Sequence, residues 1–170
     1  LSKRSKEVLS PSTMKLFLRK LHIRCKSNDT HQLTTTTSSS FSISHGFVLL
    51  VGISTKDTEA EVEKLAKKVL TIRLFEGENE QPWKSNVKEA KGQILSVSQF
   101  TLMARTKKGT KPDFHEAAKG PQAKPLYDLF LSKLRKDLGE NNVKDGVFGA
   151  MMDVMIVNDG PITINLDTDD

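Results

Sequence analysis

Cysteine is nearly absent. The 170-residue chain has one, Cys25, which excludes an internal disulfide framework and any zinc cluster built on several thiolates. Long apolar runs are missing as well: the longest, Phe47 to Ile53, falls far short of the ~18 residues that a membrane-spanning helix requires. No glycine-rich fingerprint follows a strand-like segment, so a Rossmann or P-loop nucleotide site is excluded. The carboxylates and the four histidines form neither an H-E-x-x-H nor a paired-acid signature, so neither a metal nor a cofactor is expected. Acid is scarce at the start. Residues 1–26 hold eight Lys or Arg against Glu7 alone, so the net charge of +5 resides there and the remaining body carries −2. Any electrostatic contact made by the body must therefore come from a local patch.

What remains suffices for one domain: a chain of this length buries ~70% of its unfolded surface without a metal or disulfide staple. Residues 1–13 are polar, basic and without apolar period, which predicts a disordered extension; residues 14–170 form the domain. Met14 to Leu21 alternates enough for a strand. Residues 27–44, with seven consecutive hydroxyl side chains from Thr34 to Ser40, predict a loop or poorly ordered hairpin. Gly46 to Ile53 reads as a strand buried on both faces. Thr58 and Glu61 form a capping box ahead of Val62, Leu65, Ala66, Val69 and Ile72 at helical spacing. Gln93 to Met103 is a second strong strand, and Leu126, Leu129, Phe130, Leu134 and Leu138 mark a second helix with Pro125 in its first turn. Phe148 to Val157 and Ile162 to Leu166 read as strands joined by a turn at Asn158-Asp159-Gly160-Pro161. The expected class is α+β, with a mainly antiparallel or barrel-like sheet and two main helices.

Three places can carry chemistry. In a strand, Gln99 and Thr101 share one face while Ser98 and Phe100 share the other. A buried Gln among apolar neighbours must close a polar network or face a ligand. No histidine stands out as a base for a Ser nucleophile; His115 reads as a solvated loop residue. Gly160-Pro161 interrupts a sheet ladder, because proline lacks a backbone donor and glycine permits an unusual path; a plain turn is the simplest reading. Arg105, Lys107, Lys108 and Lys111 form a run of four cations without an acid. It leaves the strand that bears Gln99, as a phosphate-binding loop beside a polar pocket would.

Together, SVSQFTLMARTKKGTKPDFH and VNDGPITINLD, separated by an amphipathic helix and KDGVFGAMM, closely resemble the D-aminoacyl-tRNA deacylase family from about His45 to Asp167. The resemblance implies a cytoplasmic homodimer that hydrolyses the ester between a D-amino acid and the terminal ribose of tRNA. It places Ser98, Gln99, Phe100 and Thr101 at the catalytic centre, with Phe148, Met152 and Lys20 lining the pocket. Arg105, Lys107, Lys108 and Lys111 would bind tRNA. It also implies a cis Gly160-Pro161 pair that reaches into the neighbouring subunit's pocket and rejects L substrates. Glycyl-tRNA has no side chain to exclude and should be cleaved too. The chain departs from the family pattern at its start, where Met14 to Leu21 fits loosely, with Arg19 at a usual Gln position and Lys20 at a basic one. Two other readings are a non-catalytic nucleic-acid-binding dimer and a general esterase indifferent to tRNA.

Overall fold

The structure is a computed structural model and describes residues 14–22, 41–107 and 109–169. The expectations for residues 1–13, for 27–40 of the hydroxyl-rich stretch and for Lys108 lie outside the described residues. The elements follow in the order β1 (Lys15–His22), β2 (His45–Gly52), α1 (Glu59–Thr71), β3 (Gln93–Ser98), α2 (Gly120–Leu138), β4 (Val143–Asp145) and β5 (Asn158–Asp167). They build one five-stranded sheet in the order β4-β3-β2-β1-β5.

β1 runs antiparallel to both β2 and β5, whereas β2–β3 and β3–β4 are parallel. The sheet is therefore mixed and open among the described residues, not mainly antiparallel or barrel-like. The cause lies in the connections: α1 and α2 each carry the chain back to begin the next strand at the same end, which produces parallel neighbours. Both helices cover one face. Val62, Leu65, Ala66 and Val69 of α1 and Tyr127, Phe130, Leu131 and Leu134 of α2 close a single core over Leu16, Leu18, Phe47 and Leu49. On the opposite face Val48 packs with Ile43, flanked by Leu50, Leu95 and Ile156. β2 is thus buried on both sides, as its continuous apolar run requires.

Helix α1 starts where the sequence places it. Thr58 accepts from the Ala60 N–H, and Glu61 reaches back to the Thr58 N–H at 2.8 Å, a cap that contributes about 1 kcal/mol. Helix α2 begins earlier than expected, at Gly120, so that Pro121 occupies the first turn and Pro125 lies inside the helix. Pro125 deprives the Pro121 carbonyl of its intrahelical partner, but both residues are exposed and water can serve.

Strand β3 stops at Ser98 instead of continuing to Met103. The Gln99 N–H still reaches the Val51 carbonyl at 2.7 Å, but β2 ends at Gly52, and a ladder without a partner strand cannot continue. The chain turns into a 3-10 turn over Phe100–Met103. Residues 148–157 are not a strand either: they run irregularly from β4 at one edge of the sheet to β5 at the other.

The expected turn at 158–161 lies within β5, as a wide bulge. Leu21 pairs with Asn158 and Arg19 with Thr163, so residues 159–162 stand opposite Lys20 alone. The Gly160-Pro161 peptide within it is cis.

Asp57 anchors the β2–α1 connection. It is buried, its Oδ2 accepts from the Ser54 N–H at 2.6 Å, and its Oδ1 has no hydrogen-bond partner among the described residues. Burial pushes its pKa up to about 6 from 3.8, a rise that backbone hydrogen bonds from Ser54 and Met14 only partly offset. The folded state holds this proton more tightly than the unfolded chain, so the carboxylate's penalty is absent near pH 4, grows as pH rises to 6 and is complete above it. Asp57→Asn, which never ionises, should gain stability relative to wild type across that window by up to about 2 kcal/mol. Denaturant unfolding at pH 4, 5, 6 and 7 measures it, and a difference that stays flat or shrinks with rising pH contradicts the assignment.

Candidate functional site

Where β3 ends, a cleft of about 490 Å³ opens between the sheet, the start of α2 and the irregular segment after β4. Ser98, Gln99 and Phe100 line one side, Phe148 and Met152 the other, and Gly120 at the first turn of α2 closes it. Val51, Ile53 and Val97 make the interior largely apolar, a surface suited to a hydrophobic or aromatic side chain.

Polar groups in the cleft are few and already oriented. The Ser98 Oγ accepts from the Gly149 N–H at 3.3 Å, which ties the two walls together. Gln99 donates from Nε2 to the Thr101 Oγ1 at 2.5 Å. The strand alternation expected to align these two residues ends before them, and the 3-10 turn brings them together instead. Thr101 is exposed and does not line the cleft. An amide that donates to its hydroxyl cannot remove the proton, so Thr101 lacks the base that a nucleophile needs. Among the described residues no histidine lines the cleft; His115 is exposed and pairs with Asp113. The hydrogen bonds from His115 hold the Asp113 carboxyl below its usual range. The N–H groups of Phe100 and Thr101, at the start of the turn, have no partner within it by the geometry of helix ends.

Phe148 owes its position to α2. Its ring lies 5.4 Å from that of Tyr127, whose hydroxyl donates to the buried Ser96 Oγ at 3.0 Å. Burial raises the Tyr127 pKa well above its ordinary value, keeping the phenol neutral. Neither Tyr127 nor Ser96 stands out in the sequence as anything but core. Phe100 is 58% exposed with its ring edge against Phe114, an arrangement that an alternating-strand reading cannot anticipate.

The basic run divides. Arg105 pairs with Glu116, whose hydrogen bond holds the guanidinium above its ordinary pKa. This partner, eleven residues away in sequence, sits across the bridge between Arg105 and Asp113. Lys107 and Lys111 are exposed. They extend from the turn that leaves the cleft.

Lys20 and the Gly160-Pro161 pair are elsewhere, and none of the three lines the cleft. Asn158, Leu21, Gly46 and Gln93 form one row across the sheet, so the bulge lies level with the start of β3. The cleft opens at the far end of β3, and β1 and β2 stand between β3 and β5. At ~4.8 Å per strand and ~3.3 Å per residue, the bulge and Ser98 are on the order of 20 Å apart. Lys20, although 7% exposed, pairs with Asp159 at 3.3 Å and lies 5.5 Å above the Phe75 ring. This ion pair fastens the residue next to Gly160 to β1. The Asn158 amide, oriented to donate to the Lys20 and Ile162 carbonyls at 2.9 Å each, accepts from Thr163 and closes the neck of the bulge. Gly160 is required there: its φ is +109°, and a Cβ would come within 2.6 Å of Ile162 Cγ1.

A family model described as D-Tyr-tRNA(Tyr) deacylase matches residues 25–167. The chain is 65% identical over 128 residues to the D-aminoacyl-tRNA deacylase of Saccharomyces cerevisiae, covering 75% of this chain and 85% of that protein. It is 49% identical over 127 residues to the D-aminoacyl-tRNA deacylase of Drosophila melanogaster, covering 75% and 79%. Among solved structures, the c-Myc DNA Unwinding Element Binding Protein superposes with a TM-score of 0.76 at 39% identity, over 90% of this chain and 97% of that one. A probable eukaryotic D-amino acid tRNA deacylase superposes at 0.72 with 17% identity, over 91% and 98%, a likeness of fold alone. Among the described residues no helix is long and apolar enough to cross a membrane.

Proposed function

Because the chain belongs to the D-Tyr-tRNA(Tyr) deacylase family, we propose that it hydrolyses the ester of D-aminoacyl-tRNA in the cleft between Ser98–Phe100 and Phe148–Met152, with chirality judged by Gly160 and Pro161 of a second copy. The observation that carries the two-copy form is the separation within one chain. The bulge is exposed on an edge strand and on the order of 20 Å from the cleft, so it can meet a substrate in that cleft only as a neighbour's part. A two-fold dimer would supply it reciprocally to both clefts.

The chemistry follows from what the cleft holds and lacks. With no side-chain base beside Ser98 or Thr101 among the described residues, activation of water falls to the substrate's own vicinal ribose hydroxyl. The Phe100 and Thr101 N–H groups are suited to receive the charge that develops on the carbonyl oxygen. Lys107 and Lys111 are placed to hold phosphates of the tRNA near its 3′ end. Main-chain atoms pressed against the substrate Cα would meet an L side chain that no rotamer change can relieve. A D side chain points away, and glycine has nothing to reject, so glycyl-tRNA should be cleaved.

The test is release of tyrosine from matched D- and L-tyrosyl-tRNA by the wild-type protein, where a D over L preference of at least about 10²-fold is expected. Comparable rates contradict the reading. The likeness to the c-Myc DNA Unwinding Element Binding Protein and the exposed Lys107 and Lys111 favour a second reading, a non-catalytic nucleic-acid-binding dimer. The same assay separates them, because that reading requires salt-sensitive binding of tRNA with no ester turnover.

A further inference from the structure

The chain has five methionines, and the structure divides them sharply. Met14 and Met103 are 0% and 2% exposed, whereas Met151 and Met155 are 100% and 95% exposed and Met152, also exposed, is at 37%. The last three fall within five residues of the segment that walls the cleft. That segment has no ladder to hold it, so its position depends on a few side-chain contacts. Phe148 rests on Tyr127, the Gly149 N–H reaches Ser98, and the Met152 thioether sits over Gly146 at the end of β4. A Cβ on Gly146 would lie 2.8 Å from the Met152 Sδ and 3.2 Å from its Cε. The missing side chain is therefore the seat that the thioether occupies.

We infer that Met152 is an oxidation site that controls the cleft, converted by hydroperoxides to the sulfoxide, with loss of deacylase activity. In this reaction the sulfur lone pair attacks the terminal peroxide oxygen and an S–O bond forms. The O–O bond breaks, and the peroxide leaves as water or an alcohol once protonated. The sulfur is oxidised by two electrons and the peroxide reduced by two. The product is polar and larger at the atom that fills the Gly146 seat, and its oxygen is better served by water than by that contact. The sulfoxide leaves the seat for water, taking with it the wall that carries Gly149. Met151 and Met155, fully in solvent and without such contacts, are oxidised faster but hold nothing in place. A thiol-dependent methionine sulfoxide reductase returns the sulfur to the thioether and the wall to its seat.

The inference concerns the cleft assigned above, and the test keeps the two apart because untreated activity is measured first. The protein, carrying Cys25→Ser so that no thiol contributes, is exposed to hydrogen peroxide. Sulfoxide at each methionine is mapped by peptide mass spectrometry alongside D-tyrosine release. Activity should fall about tenfold in step with Met152 sulfoxide, after Met151 and Met155 are already oxidised, and should return with methionine sulfoxide reductase. Met152→Leu in the same background should keep most of its own untreated activity. Gly146→Ala, which displaces the thioether without chemistry, should resemble the oxidised wild type. The inference is overturned if Met152 resists oxidation as Met14 and Met103 should, if activity follows Met151 or Met155 instead, or if Met152→Leu loses as much as wild type.

Discussion

Pro161→Ala and Gly160→Ala proteins are expected to release L-tyrosine from L-tyrosyl-tRNA about 10²- to 10³-fold faster than wild type, while D-tyrosine release changes by less than about tenfold. The expectation rests on what each residue does for the main chain of the bulge. Proline fixes its own φ near −65°, and alanine gives that freedom back. Gly160 holds φ at +109° with Ile162 immediately behind it, so an alanine there must move the backbone. On the proposed reading, the wedge in both variants would shift away from where an L side chain strikes it, and a steric penalty of about 3–4 kcal/mol would disappear. A D substrate would not meet the wedge with its side chain and would lose only some positioning. The ratio of the two rates, measured on matched charged tRNAs, reports the filter independently of protein quality. An unchanged ratio in both variants contradicts it.

The second large effect concerns the base. Among the described residues, neither the Ser98 Oγ, which accepts from the Gly149 N–H, nor the Thr101 Oγ1, which accepts from Gln99, has a group able to take its proton. D-tyrosyl-tRNA ending in a 2′-deoxy ribose should therefore be cleaved about 10²- to 10⁴-fold more slowly than the ribose substrate, the usual worth of a positioned acid–base group. Thr101→Ala should retain most of its activity on the normal substrate. Equal rates on the two sugars, or a Thr101→Ala protein as slow as the deoxy reaction, would transfer the role to the side chain.

Elements set by local pattern were legible before the structure. The Thr58–Glu61 capping box with Val62, Leu65, Ala66 and Val69 specifies a helix by itself, and the two-sided burial of β2 follows from its unbroken apolar run. Features set by distant partners were not. β3 ends where β2 stops offering carbonyls, which nothing in QFTLM declares. Residues 148–157 have strand-like composition, yet they cross from one edge of the sheet to the other and pair with neither.

The candidate cleft was legible in part. Ser98, Gln99, Phe100, Phe148 and Met152 do converge on one cleft. Lys20 sits with the bulge instead, because Asp159 supplies the countercharge that its burial requires. Arg105 is committed to Glu116, a pairing across a loop that a charge run does not reveal. Gly160-Pro161 reads as a turn because glycine and proline mark turns and bulges alike. Only the pairing of β5 with β1 on both sides of it distinguishes the two.

Mixed dimers show whether one chain judges substrates held by its partner. Chains with Ala150→Trp, a substitution at an exposed position that fills the cleft, are combined with chains carrying Pro161→Ala, and heterodimers are isolated through two affinity tags. Each then has one open cleft, that of the Pro161→Ala chain, facing the intact wedge of its partner. About half the wild-type rate on D-tyrosyl-tRNA and the wild-type D over L ratio are expected. A heterodimer that still releases L-tyrosine as the Pro161→Ala homodimer does would place the filter within a single chain and contradict it.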